Sequence, residues 1–226
     1  MRKFLLLIFF SILLSILSFS QALNQVDDQG WKQGKWRKSY VSGVIKYEGQ
    51  FRNDRPYGEF RYYHENAQIK AITKFSDDGI IAHTESFHEN GKPMAKGNYI
   101  NQKRDSTWNF YSDIDGKIIA KEDYRKGKLN GKSILFYVDS GKPAKITEYK
   151  QGIKEGTYLK YFPDGKTMTE GLYHNNQLHG DFTVYYNDET IEIKGQYENG
   201  RKSGNWEYFT ENGEPITEEQ YKADNQ

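Results

Sequence analysis

The chain carries five histidines, a row of lysines beside turns, and acidic turn residues, and these are the side chains whose types could do chemistry. His64 and His88 occupy equivalent places in the sequence, while His174 and His179 flank one short loop. A zinc site needs ligands about 2 Å from a shared ion, normally four of them; with no Cys present, a third ligand is not apparent from spacing. Asp113-Ile114-Asp115-Gly116, with Glu122 following, has the opening of a calcium loop, which would also need further oxygen ligands. Ser, His and carboxylates all occur, but not as a nucleophile elbow, a Gly-rich phosphate loop or a carboxylate pair, so no catalytic residue is proposed. Lys92, Lys117, Lys142 and Lys166 each follow a turn glycine, and such a row could meet anionic lipid head groups or an acidic partner. Trp31, Trp36, Trp108 and Trp206 raise a glycan- or choline-binding surface as a further possibility.

Which of these residues can meet depends on the elements that carry them. Residues 1–20 read as a secretory signal: Arg2 and Lys3, an apolar run from Phe4 to Leu17 broken by Ser11 and Ser15, then Ser18 and Ser20. Export would take the remainder to an oxidising compartment or through one, either periplasm, outer envelope or exterior, yet no cysteine is available for a disulfide. Stability must then come from apolar burial, and 18 Tyr, 13 Phe and 4 Trp point to strands. Without Arg2 and Lys3, the 32 basic residues become 30 against 31 acidic ones, a balance that leaves no electrostatic footprint for nucleic acid.

The organising feature is a repeat of 24 to 25 residues. One aromatic column runs Phe51, Phe75, Tyr99, Tyr124, Tyr149, Tyr173, Tyr197, Tyr221. A small-residue column follows at Gly34, Gly58, Ala82, Ser106, Gly131, Gly156, Gly180 and Gly204. Two residues further on stand Trp36, Phe60, Thr84, Trp108, Ser133, Tyr158, Phe182 and Trp206; five after the small residue come Tyr63, Phe87, Tyr111, Phe136, Tyr161, Tyr185 and Phe209. Each copy has two turn signals, such as Asn90-Gly91 and Asp164-Gly165 at one end and Lys126-Gly127 and Asn199-Gly200 at the other. Two turns per copy leave two strands of roughly six residues, so the unit is a β-hairpin. Since one hairpin is marginal alone, the copies must stack into an elongated single-layer array, roughly 80 Å long for eight copies at about 4.8 Å per strand. The aromatic columns are expected to pack copy on copy and the glycine column to permit close backbone approach.

This frame reweighs the candidates. His64 and His88 would lie about 10 Å apart, too far to share an ion without reaching towards one another. The Asp115-Gly116 segment coincides with the hairpin turn of the other copies, and recurring acids at turns are turn formers. Lysines on a sheet edge also guard against edge-to-edge aggregation. Aromatic rings in register are expected as packing between hairpins, with ligand stacking the lesser use. No cofactor or metal is expected.

The run Gly-x-Trp/Phe-x-x-Tyr, then Asn/Asp-Gly-Lys, then Gly-x-Tyr-x-Asn-Gly resembles the MORN repeat, in the bacterial variant found in YwqK-type antitoxin-like proteins. Gly171-Leu172-Tyr173 leading to Gly180-Asp181-Phe182, and Gly195-Gln196-Tyr197 leading to Gly204-Asn205-Trp206, match it best. The resemblance spans about residues 30–221 and implies an all-β, non-enzymatic repeat protein; the positions it marks as structural are Gly58, Gly131, Gly156, Gly180, Gly204, Tyr149, Tyr173, Tyr197 and Trp206. It also implies an antitoxin-like interaction with a protein partner, and some eukaryotic MORN proteins associate with membranes and phosphoinositides. The expected organisation is signal peptide 1–20, linker 21–29, array 30–221 and tail 222–226. Ala82, Thr84 and Ser106 depart from the pattern, Asp27 stands where the first copy lacks its aromatic, and a partial last copy ending at Tyr221 is expected to supply a closing strand. The function expected is an exported scaffold for an unknown protein, with attachment to an anionic lipid or glycan surface as the competing reading.

Overall fold

The computed structural model describes residues 22–224. The signal-like segment 1–20 lies outside the described residues. Seventeen strands follow one another: β1 Gln25–Val26, β2 Lys32–Ser39, β3 Ile45–Arg52, β4 Arg55–Tyr63, β5 Ile69–Phe75, β6 Ile81–Phe87, β7 Pro93–Ile100, β8 Lys103–Tyr111 and β9 Ile118–Arg125 in the first half. The second half comprises β10 Lys128–Phe136, β11 Pro143–Lys150, β12 Ile153–Tyr161, β13 Thr167–His174, β14 Gln177–Tyr185, β15 Ile191–Glu198, β16 Arg201–Phe209 and β17 Pro215–Ile216, closed by helix α1 Glu218–Asp224. Each strand pairs antiparallel with its neighbour in sequence, and among the described residues the substantial strand–strand contacts are all between such neighbours. The result is one open sheet of hairpins, and its long strands run to 7–9 residues, beyond the roughly six expected.

The two turn signals of each copy are different devices. At one edge the central pairs Asn53-Asp54, Asn101-Gln102, Lys126-Gly127, Gln151-Gly152, Asn175-Asn176 and Asn199-Gly200 all have positive φ at both residues, the two-residue turn whose twist matches a hairpin. At the other edge the Asn-Gly and Asp-Gly pairs do not form that turn. His88 N donates to Lys92 O and Gly91 N to His88 O, so only Gly91 is left-handed. That is a three-residue loop, and the glycine absorbs the positive φ.

The strands lengthen because of a bulge. Glu48 pairs with Arg61 and Gln50 with Tyr57, so Gly49 alone faces Gly58, Glu59 and Phe60. The same interruption recurs in β7–β8, β9–β10, β11–β12, β13–β14 and β15–β16. Except at Ala82, the small-residue column occupies these bulges in left-handed conformation, with glycines from Gly204 at φ 64° to Gly131 at 118° and Ser106 at 60°. Nothing lies within 4 Å of a Cβ built on Gly58 or Gly204, so the expectation of close approach is corrected there: glycine stands there for its φ. In the same column a Cβ on Gly131 or Gly156 would meet the Asp123 or Glu148 side chain, and close approach to rings belongs to a second column, Gly49, Gly97, Gly171 and Gly195. A Cβ on Gly97 would sit 2.4 Å from the Trp108 ring, and one on Gly49 would sit 2.4 Å from Phe60.

Those rings make the core, which lies on one face of the sheet. Phe60 and Trp108 are each 2% exposed. Edge-to-face contacts link Phe51, Phe60 and Phe75 at 5.2 Å, Tyr99 and Trp108 at 4.9 Å, Tyr158 and Tyr173 at 5.3 Å, and Phe182, Tyr197 and Trp206 at 5.1 Å. The column of Tyr63, Tyr185 and their equivalents packs on the opposite face, where Tyr63 donates to Glu48 and Tyr185 to Glu170.

The ends differ from expectation. In the segment expected as a linker, β1 pairs with β2, and Asp27 accepts from Gln29 N, Trp31 N and the Gln33 amide. At the other end Tyr221 lies on α1 and not on a closing strand; that strand is β17. Thr217 and Gln220 form a reciprocal cap that starts the helix, with Gln220 N donating to Thr217 Oγ1 and Thr217 N to Gln220 Oε1. The Tyr221 ring covers Tyr208 at 5.2 Å and its hydroxyl donates to Glu192.

Candidate interaction surfaces

The lysine row is placed along one edge, and its nitrogens are engaged there. Lys117 Nζ donates to Val138 O at 3.3 Å and Lys166 Nζ to Asn187 O at 2.8 Å; Lys92 and Lys142 reach Ile114 O and Asp164 O in the same way. Each ammonium ties its own turn to the next copy's turn. Thr190 continues the pattern with a bond to Glu211 O.

His64 and His88 do an equivalent job one step in from that edge. His64 Nε2 lies 3.0 Å from Phe87 O and His88 Nε2 lies 3.4 Å from Tyr111 O. A carbonyl only accepts, so Nε2 bears the proton in each. Tyr40, Tyr137 and Tyr186 occupy the same repeat place and donate their hydroxyls to Tyr63 O, Tyr161 O and Phe209 O. His174 and His179 do approach, with ring centroids 5.8 Å apart, but His174 Nδ1 is held 3.0 Å from Glu155. Asp115 accepts from Lys117 N, and Glu122 accepts from the Tyr124 hydroxyl at 2.6 Å. Among the described residues no three His, Asp or Glu side chains are grouped to hold an ion.

Of the residues expected as structural, Gly58, Gly131, Gly156, Gly180 and Gly204 all sit at bulges with positive φ. Tyr173, Tyr197 and Trp206 pack in the ring row, and Tyr149 pairs across to Gly131 and Lys154.

The polar face carries a cross-strand row that sequence columns alone do not display, because its members belong to different columns. Arg37, Glu48 and Arg61 stand directly opposite one another on β2, β3 and β4, with Arg37 bonded to Glu48 at 3.0 Å. Past Ile72 the row goes on through Glu85 and Lys96, bridged at 2.7 Å, and it ends with Lys194 and Glu207 at 3.1 Å. Between these charged stretches it passes through Ile134, Ile146 and Leu159, paired in register across β10, β11 and β12. All three are half-buried, and Leu172 on the adjoining strand is 48% exposed. The Tyr63 hydroxyl, followed by the Arg37 guanidinium, holds the Glu48 carboxyl below its usual range.

The ring row of the other face has its own interruption. Strands β5 and β6 pair without a bulge from Ala71↔Ser86 to Phe75↔Ala82, and the saved residues go into a longer turn closed by Ser76 N to Ile81 O. Where flanking copies place a ring over glycine, this copy places Thr84 opposite Thr73.

Four segments, residues 82–101, 154–175, 178–199 and 202–223, match the family model described as MORN repeat variant. The fold is an open antiparallel sheet of hairpins, and those four segments of it are MORN-variant repeats. No curated protein matches the chain. Among solved structures, a crystal structure of TarM is similar at 18% identity, covering 42% of this chain and 20% of that one with a TM-score of 0.31. A variant TarM of S. aureus in complex with Fondaparinux, alpha-GlcNAc-glycerol and UDP is similar at 11% identity, covering 66% and 20% with a TM-score of 0.23. The match therefore spans about a fifth of the length of those chains.

Proposed function

We propose that the chain is an exported, non-catalytic scaffold that holds another protein against its polar face, in the manner of an antitoxin-like neutraliser met outside the cytoplasm. The observation that carries this reading is the run of three successive aliphatic residues, Ile134, Ile146 and Leu159, in a cross-strand row that is mostly charged on either side of it. An apolar centre with a charged rim is the anatomy of a protein interface, and repeat arrays present extended surfaces for it. The basic start and apolar run of residues 1–20 support export.

The test is affinity capture from the native envelope fraction with the wild-type chain and an Ile146→Glu variant, whose fold is checked by circular dichroism. A reproducible protein that the wild type retains and the variant loses is expected. Failure to recover any protein reproducibly would overturn the reading. Sedimentation with anionic liposomes, lost in moderate salt and lost when Lys92, Lys117, Lys142 and Lys166 become Glu, would instead favour attachment to a lipid surface.

A further inference from the structure

The interruption at β6 leaves a concavity of about 270 Å³ on the aromatic face, walled by Tyr62, Phe75 and Tyr99 and floored by Thr73, Ala82 and Thr84. Its walls are fixed from outside: Phe75 stands edge-to-face against Phe60, and Tyr99 against Trp108. The chain itself shows what fills the equivalent cradle. In the copy before, the Phe60 ring lies over Gly49; in the copy after, the Trp108 ring lies over Gly97. Three departures coincide here: Ala82 without a bulge, Thr84 without a ring, and Thr73 where the two flanking copies have Gly49 and Gly97.

A second observation concerns the floor. Thr73 and Thr84 are 5% and 8% exposed, and their hydroxyl oxygens lie 3.0 Å apart. Two hydroxyls carry two protons, and one bond between them uses one. The described hydrogen bonds give neither hydroxyl another partner, so one donor remains at the floor of the concavity. A buried donor without an acceptor is costly to leave unmade.

We propose that this notch is a binding site for one aromatic ring bearing a hydrogen-bond acceptor, the tyrosine side chain of a bound polypeptide. The ring replaces the one missing from the row, and its phenolic oxygen accepts the spare threonine proton. Phenylalanine has no acceptor and the tryptophan indole only donates, so tyrosine is the large aromatic side chain that satisfies both walls and floor. A cavity lined by apolar groups takes up a ring of matching size, as apolar cavities of about 150 Å³ take up benzene. The polypeptide as occupant rests on the scaffold reading above; a single-layer sheet offers both faces to one partner.

The notch is tested on the purified chain with free probes, which need no captured partner. Titration with p-cresol, the tyrosine side chain as a small molecule, should give saturable NMR shifts at the Thr73, Ala82 and Thr84 methyls. Toluene, lacking the acceptor, should bind about fivefold more weakly, and replacing both hydroxyls together, Thr73→Val with Thr84→Val, should remove that preference. The double variant Thr73→Gly/Thr84→Phe rebuilds the Gly49/Phe60 pair, so it should fold with an undiminished unfolding midpoint and show no saturable shift. No saturable shift with p-cresol on the wild type, or equal binding by the double variant, overturns the notch. Binding of p-cresol without binding of a blocked Gly-Tyr-Gly peptide overturns the polypeptide as its source. If p-cresol binds while envelope capture fails, the scaffold reading falls and the notch stands.

Discussion

Gly97→Ala puts the two glycine columns to the test, because it should fail for a reason that Gly204→Ala does not share. The added methyl carbon at residue 97 would stand 2.4 Å from the Trp108 ring, where ordinary contact begins near 3.4 Å. The indole has nowhere to go: it is 2% exposed, wedged by Tyr99 at 4.9 Å and Arg104 at 4.6 Å, and its Nε1 donates to Asn98 O at 3.0 Å. Overpacking of this kind costs about 3 kcal/mol at the upper end of its usual range. Replacing a strand glycine recovers about 0.5 kcal/mol of backbone entropy, which leaves a net loss of about 2.5 kcal/mol. At Gly204 the space is open and only the φ of 64° resists, so Ala should cost about 1–2 kcal/mol and Asn less. Urea unfolding followed by far-UV circular dichroism reads both. The decisive step is Gly97→Ala combined with Trp108→Thr: once the ring is gone, the methyl at residue 97 should cost nothing further. If Gly97→Ala is as harmful without the ring as with it, or if Gly204→Asn is worse than Gly204→Ala, the assignment of the two columns is refuted.

Three further outcomes are expected. His64→Leu should lose about 1 kcal/mol with the bond to Phe87 O, while His64→Tyr should retain stability, since Tyr40, Tyr137 and Tyr186 make that bond elsewhere; thermal unfolding distinguishes them. Changing Lys92, Lys117, Lys142 and Lys166 together to Met should lower the urea midpoint by the equivalent of about 1 kcal/mol, because exposed bonds of this kind are individually weak. Burial and the bond to Glu170 push the Tyr185 hydroxyl up from 10.0 to about 12. Its folded value lies above its ordinary one, so its contribution is complete below pH 10 and is lost as pH rises through about 12. Tyr185→Phe should therefore flatten the alkaline fall in stability over that window, measured by unfolding midpoints across it.

Much of the architecture was legible because each turn and column recurs at a fixed interval. The Asn and Gly pairs that tolerate positive φ mark hairpins wherever they stand, and alternating aromatic residues can only be strands burying one face. The pairing of glycine with ring was also present in the sequence: Phe60, Trp108, Phe182 and Trp206 each have a glycine eleven residues earlier, whereas Thr84 and Ser133 have Thr73 and Glu122. Trp36, with Gln25 at that distance, and Tyr158, with Thr147, are the exceptions that obscure the rule. The capping spacing of Thr217 and Gln220 was equally visible, but extending the repeat period placed Tyr221 on a strand where local helix chemistry prevailed.

By itself, then, the sequence determined the hairpin unit, its period and the residues able to turn. Only the tertiary structure decided which residues face one another. A bulge sets three residues against one in six of the hairpin junctions. That shift changes every cross-strand partner beyond it, so neighbours on a face are fixed by register and not by distance along the chain. The aliphatic break on the polar face, the lysine ties between turns and the notch at Thr84 all follow from that register. Periodicity reports what recurs along a chain, and these features arise from what the pairing sets side by side.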